Sequence, residues 1–167
     1  MADNPILDAL AGKRGWSEED KERFAGFAKA VAQTESKSDP KAYQYKGGPG
    51  RGKYQFEVAS GKGSGTNKVA IQRYKNFLKQ YEVEDTLSKE DWEELSRPDP
   101  DFARISETAQ DSIFFAHHAM HPKHPVSKVA KGELDYEDAW LEYHWAGGDD
   151  PIVRAKRRAH FRLANFF

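Results

Sequence analysis

The sequence predicts an α+β domain, mainly helical, with one small β-hairpin in its amino-terminal third. Three observations predict it. Apolar residues recur at helical spacing along most of the chain. One stretch, residues 43–56, instead sets aromatics at alternate positions on either side of a Gly/Pro-rich segment. The chain has 167 residues, 13% of them aromatic, which is enough for one core and too aromatic for a disordered chain. Its 26 Lys and Arg against 27 Asp and Glu give a net charge of -1, without the basic excess of a nucleic-acid-binding surface. There is no cysteine, which excludes disulfides, thiolate metal sites and a cysteine nucleophile. No run approaches the ~20 apolar residues that cross a bilayer. The first residues lack the basic and apolar regions of a secretory leader, so the chain is expected to be made in the cytoplasm.

The elements follow in order. Residues 1–16, broken by Gly12 and Gly15, read as a lead-in to a single domain over 17–167. Ser17, followed by Glu18, Glu19 and Asp20, reads as an N-cap with acids in the first helical turn. Phe24, Phe27, Ala28 and Val31 then form one apolar face, and one turn further the same stripe reaches Glu35. Asp39-Pro40 ends the helix, because the residue before proline is steered away from helical geometry. Segments 43–46 and 53–56 read as the two strands, with Gly47 to Gly52 as their loop. Val69, Ile71, Tyr74, Phe77, Leu78 and Tyr81 predict a helix over 69–81. A short helix is expected at 88–96 and a long one at 103–120, stopped by Pro122 and Pro125. The last two are expected at 135–143 and 152–166.

Glu35 is the anomaly. Burial penalises the charged form of a carboxyl, and the partial negative charge of a helix C-terminus acts in the same direction. A carboxylic acid kept protonated near neutrality is what glycoside cleavage needs to protonate a leaving oxygen. The glycines at 47, 48, 50 and 52 are expected to let the hairpin backbone approach a ligand where a Cβ would intrude. They do not form a phosphate loop, which needs a Gly-Lys-Ser/Thr ending.

Three segments, in order, resemble motifs of the lysozyme-like superfamily, specifically soluble lytic transglycosylases and goose-type lysozymes. They are Glu35-Ser36 with Pro40 and Ala42, then Gly52-Lys53-Tyr54-Gln55-Phe56, then Glu142-Tyr143-His144-Trp145-Ala146-Gly147. The resemblance spans about residues 17–160, through motifs rather than continuous identity, and is nearest in character to phage-encoded members, either endolysins or virion-associated hydrolases. It implies a lysozyme-like fold with the hairpin beside an active-site cleft. It also implies cleavage of the β-1,4 bond between N-acetylmuramic acid and N-acetylglucosamine in peptidoglycan, with no cofactor and no metal.

The resemblance implies roles residue by residue. Glu35 would be the general acid and then the base, and Ser36 would orient the cleft. Gln55 would hydrogen-bond near the scissile sugar, and Tyr143 would bond to the Glu35 carboxyl. Tyr54 and Trp145 would join the substrate-binding residues, with Trp140 or Trp145 as sugar platforms; core packing serves Tyr143 and Trp145 equally well. Departures from the family are His144 in place of an Asn, an extra residue at Trp145, and Lys53-Tyr54 in place of an apolar pair. A second carboxylate, as two-carboxylate glycosidases require, would be Glu57 or Asp39. Transglycosylases of this kind use a single Glu, since the substrate's own hydroxyl attacks. The expected partners are glycan strands and, for a virion component, other virion proteins, with the chain a monomer.

Two rival readings remain at this level. His117 and His121 stand at i, i+4, with His118 and His124 beside them, as a zinc-dependent cell-wall peptidase would use. However, no HExxH motif is present and Pro122 intervenes, so surface histidines at a proline turn are the plainer account. Arg154, Lys156, Arg157, Arg158 and Arg162 make the last helix basic, as a solvated face or as an attraction to an anionic surface. The second option fits a non-catalytic glycan-binding virion module.

Overall fold

Asn4 starts the first helix. Its side chain accepts hydrogen bonds from the backbone N–H groups of Ile6 and Leu7, and Pro5 stands at the first helical position. The computed structural model describes residues 4–166. In it α1 (Pro5–Arg14) buries Ile6, Leu7 and Leu10 in the main core. The described part of the expected lead-in is therefore a core helix. Its apolar set was too short, and too mixed with Ala and Gly, to read as periodic.

The helix carrying Glu35 begins as expected. Ser17 and Asp20 bond reciprocally to each other's backbone N–H, and α2 (Glu18–Ser36) runs from there to Lys37, which takes left-handed geometry. Phe24, Phe27 and Val31 are fully buried, each worth about 2 kcal/mol of apolar transfer.

The hairpin exists, but its register corrects the sequence reading. β1 (Gly50–Arg51) pairs antiparallel with β2 (Phe56–Glu57), while Tyr43 makes a lone bridge to Arg51 and Tyr45–Gly47 forms a 3-10 turn. The glycine segment thus supplies a strand, and the turn falls between Gly52 (φ 80) and Gln55 (φ 57), both left-handed. Between them Lys53 and Tyr54 dive into the core. Lys53 Nζ reaches Glu107 at 2.8 Å and Asp111 at 2.9 Å. The Tyr54 hydroxyl donates to Asp111 at 2.6 Å, and its ring stacks on Phe114 with centroids 4.1 Å apart. A Cβ on Gly52 would lie 2.4 Å from Gln110 Oε1 and 3.2 Å from the Phe102 carbonyl oxygen. That glycine serves close packing rather than ligand approach, which corrects the expectation for it.

The remaining elements are α3 (Thr66–Tyr81), α4 (Lys89–Leu95), α5 (Glu107–Ala119), α6 (Val126–Ala130), α7 (Tyr136–Trp140) and α8 (Pro151–Phe166). The long helix expected at 103–120 is interrupted. Phe102–Arg104 is a 3-10 turn, and Ser106 caps α5 by accepting from the Ala109 N–H. Between α7 and α8 the chain continues as a π-helical turn, Leu141–Trp145. The fold is mainly helical α+β with one small two-stranded sheet. Among the described residues no helix is long and apolar enough to cross a membrane.

Candidate active site

Glu35 sits at the last turn of α2, with its side chain 20% exposed. The Trp140 indole N–H donates to Oε2 at 2.8 Å. Among the described residues no Lys or Arg lies within ion-pair distance of the carboxyl; the nearest basic group is His144 Nε2, at 3.8 Å. Burial pushes the Glu35 pKa up from 4.5 to about 7, against the Trp140 hydrogen bond and the Arg157 charge, with the Glu57 charge adding to the rise.

The carboxyl opens into a cleft of about 910 Å³, lined also by Ser36, Gln55, Glu57, His144, Trp145 and Arg157. Ser36 ties the helix end to the hairpin: its hydroxyl donates to the Lys53 carbonyl at 2.7 Å and accepts from the Asp39 N–H. Gln55 turns its amide nitrogen onto the carbonyls of Gly52 and Ala42, so its donors brace the turn. Glu57 shares the cleft and accepts the Ser64 N–H at 2.9 Å. Asp39 is not part of the lining; its carboxylate accepts the Lys41 N–H on the exposed side.

Tyr54 and Tyr143 stand elsewhere than the resemblance implies. Tyr54 is 1% exposed and cannot meet a ligand. Tyr143 does not bond to Glu35; its ring stacks on His124 at 4.5 Å. Tyr143 lies within the π-helical turn, and the bond to Glu35 expected of it is made by Trp140 at the end of α7. Trp145 lies on the cleft wall beneath the Arg157 guanidinium, 5.8 Å from its ring centroid. Trp140 itself is 1% exposed, which removes it as a sugar platform.

Sequence reasoning missed three features. The first is the indole donor to Glu35, and the second is His144 beside it; their i, i+4 spacing was the available signal. The third is Tyr45, 84% exposed on the rim of the cleft and not in a strand.

The histidines are neither a surface group nor a convergent metal site. His117, His118 and His124 are buried. Several of their nitrogens meet protein partners: His117 Nδ1 the Arg73 guanidinium, both His118 nitrogens His124 and His144, and His121 Nδ1 the Lys123 N–H, while His124 Nε2 has none among the described residues. Among the described residues no three potential ligands gather around one point. Burial pulls His117 and His118 well below the ordinary histidine range, His124 to about 3 and His144 to about 4. The basic residues of α8 are largely engaged, Arg154 with Glu142, Arg158 with Glu137 and Asp138, and Arg162 with Glu137.

Comparison of the chain with protein-family models, with curated proteins and with solved structures finds no match. The chemistry of the cleft carries the functional reading.

Proposed function

We propose that this chain is a lysozyme-like glycosidase that cleaves peptidoglycan strands between N-acetylmuramic acid and N-acetylglucosamine, with Glu35 as general acid and then base. The observation that carries the reading is a carboxyl at the end of α2 that opens into a cleft, accepts one indole N–H and, among the described residues, has no Lys or Arg within ion-pair distance; burial there pushes its pKa up to about 7. Near neutral pH such a group holds a proton and can release it. Glu35 would protonate the glycosidic oxygen as the bond to the muramyl anomeric carbon breaks. The resulting carboxylate would then take a proton from the attacking hydroxyl as the new carbon–oxygen bond forms, which regenerates the acid. The Trp140 N–H stabilises the carboxylate between these steps. Glu57, held by the Ser64 N–H, is not required if the attacking group is the muramyl 6-hydroxyl, and this one-glutamate route is the form we favour.

Digestion of purified peptidoglycan followed by mass spectrometry tests the proposal. The expected products end in anhydromuramyl groups, one water lighter than hydrolysed ones, and are absent with Glu35→Gln. Reducing-end products would assign hydrolysis instead. No cleavage by folded wild-type protein would overturn the reading.

A further inference from the structure

Three imidazoles form a hydrogen-bonded line that starts at the cleft and runs into the core. His144 Nε2 lies 2.8 Å from the Tyr54 carbonyl oxygen, His144 Nδ1 is 3.1 Å from His118 Nε2, and His118 Nδ1 is 2.9 Å from His124 Nδ1. His118 is wholly buried, and the His144 side chain is 6% exposed. Phe114 packs against His118 and His144, and Phe27 against His118 and His124, so the line has an aromatic sheath. A charged imidazole there would lose its hydration; among the described residues His118 and His124 have no carboxylate partner, and His144 has only Glu35 at 3.8 Å, its own pKa raised to about 7, so each ring is neutral, with one N–H and one lone pair.

That condition fixes every proton, an assignment made from donor and acceptor roles. A carbonyl oxygen can only accept, so His144 carries its hydrogen on Nε2. Its Nδ1 is then a lone pair and accepts from His118 Nε2–H. His118 Nδ1 is then a lone pair and accepts from His124 Nδ1–H. The line ends at His124 Nε2, a lone pair with no partner, and this is the unsatisfied buried side-chain polar atom among the described residues. The opposite order would set a lone pair of His144 against the Tyr54 oxygen, with Glu35 Oε2 3.8 Å away.

We propose that this line locks His144 as a neutral Nε2–H donor whose N–H edge faces Glu35, which makes His144 a positioning residue for the Glu35 carboxylate. The inference rests on the reading of Glu35 as the acid. At 3.8 Å the contact is a dipole near a carboxyl rather than a formed hydrogen bond, and such contacts tighten when substrate is bound. The lock has a chemical purpose. A cationic histidine at this position would draw the proton off Glu35 before substrate arrives, whereas a neutral N–H assists the anion only as it forms.

Nitrogen-15 multiple-bond NMR of the histidine side chains in the intact protein, near neutral pH, tests the lock. His144 and His118 are expected to carry hydrogen on Nε2, and His124 on Nδ1, the less common tautomer. Hydrogen on His144 Nδ1, or on both nitrogens of any of the three, overturns it. The positioning role is tested with His144→Met, which cannot donate to the Tyr54 oxygen, and His144→Gln, which can. The Met variant is expected to move the carbon-13 titration midpoint of Glu35 upward. It is also expected to lower kcat on peptidoglycan about tenfold with KM little changed, the scale of one lost hydrogen bond to a charge. Gln should recover part of both losses. An unchanged Glu35 midpoint in folded His144→Met overturns the positioning role; if that variant does not fold, the same midpoint is read in His144→Leu, with the same two outcomes. Tautomers and midpoint are read without any activity, so absence of peptidoglycan cleavage would count against the proposed function and not against the lock.

Discussion

The two sides of the hairpin bury carboxylates to nearly the same degree and put them to different uses. Asp111, 11% exposed in its side chain, meets the Lys53 ammonium at 2.9 Å and the Tyr54 hydroxyl at 2.6 Å. Glu35, 20% exposed, meets one indole N–H and no cation. Burial alone would discharge Lys53, yet its bonds to Glu107 and Asp111 hold its pKa above the ordinary lysine value, so the ammonium keeps its charge and ties the hairpin to α5. Burial at Glu35 meets, among the described residues, no cation within ion-pair distance, only the more distant Arg157 charge, and the pKa of the carboxyl rises to about 7. Burial alone does not set these two carboxylates apart; the charge of the partner does.

The sharpest way to break this comparison is to remove the cation. Lys53→Met leaves Asp111 and Glu107 uncompensated and is expected to cost about 3–5 kcal/mol of stability in denaturant unfolding, with activity per folded molecule preserved. A cost below about 1 kcal/mol would mean that the ammonium is not such a tie. Glu35→Gln should do the reverse. It is expected to reduce clearing of exposed cell walls by at least ~100-fold while the protein stays folded.

The same substitution has a pH signature. The folded pKa of Glu35 is raised from 4.5 to about 7, so the folded state binds the proton more tightly than the unfolded chain. The Glu35 contribution is therefore lost as pH rises from 4.5 to about 7, so the stability of wild type relative to Glu35→Gln should fall across that window, on top of the rise that the buried neutral histidines give both proteins. Above that window the variant is expected to be the more stable by roughly 3 kcal/mol, at about 1.4 kcal/mol per unit, measured by unfolding at pH 5 and pH 8.

Gly52→Val probes the hinge between the two sites. Left-handed geometry and the contact with Gln110 should cost about 1–3 kcal/mol, with activity falling in parallel. Activity lost without stability would return Gly52 to the cleft. The smallest effect is expected at Glu57: with one-glutamate chemistry, Glu57→Gln should change turnover by less than about threefold. A severe defect together with reducing-end products would instead make it the second carboxylate.

Much of the contrast was legible in the sequence, but only on one side. Glu35 stood out because the apolar stripe of Phe24, Phe27 and Val31 runs into it, and helical periodicity is local information. The Ser17–Asp20 cap was legible for the same reason. Lys53-Tyr54 is an oddly polar pair for a strand, yet its partners on α5 are more than 50 residues away, beyond what spacing can reveal. Alternation misled at 43–46, where Tyr45 lies exposed in a 3-10 turn; two left-handed residues, Gly52 and Gln55, set the real turn, and only the first is a glycine. The role of Tyr143 came from the resemblance, whose motif this chain departs from at His144 and Trp145, and the segment winds as a π-helical turn that sets the Tyr143 ring on His124. The histidines looked like a surface or metal group because their mutual bonding depends on the packing of α5, the 121–125 segment and the π-helical turn against one another.

One measurement tests most directly whether Glu35 is a proton donor poised near neutrality. The protein, carbon-13 labelled at its glutamate side chains, is titrated by NMR, and the Glu35 carboxyl resonance is assigned as the one missing from Glu35→Gln. A midpoint of about 7 is expected. A midpoint near the ordinary 4.5 would mean that the carboxyl is ionised at neutral pH, and Glu35 would then have no proton to give to a glycosidic oxygen.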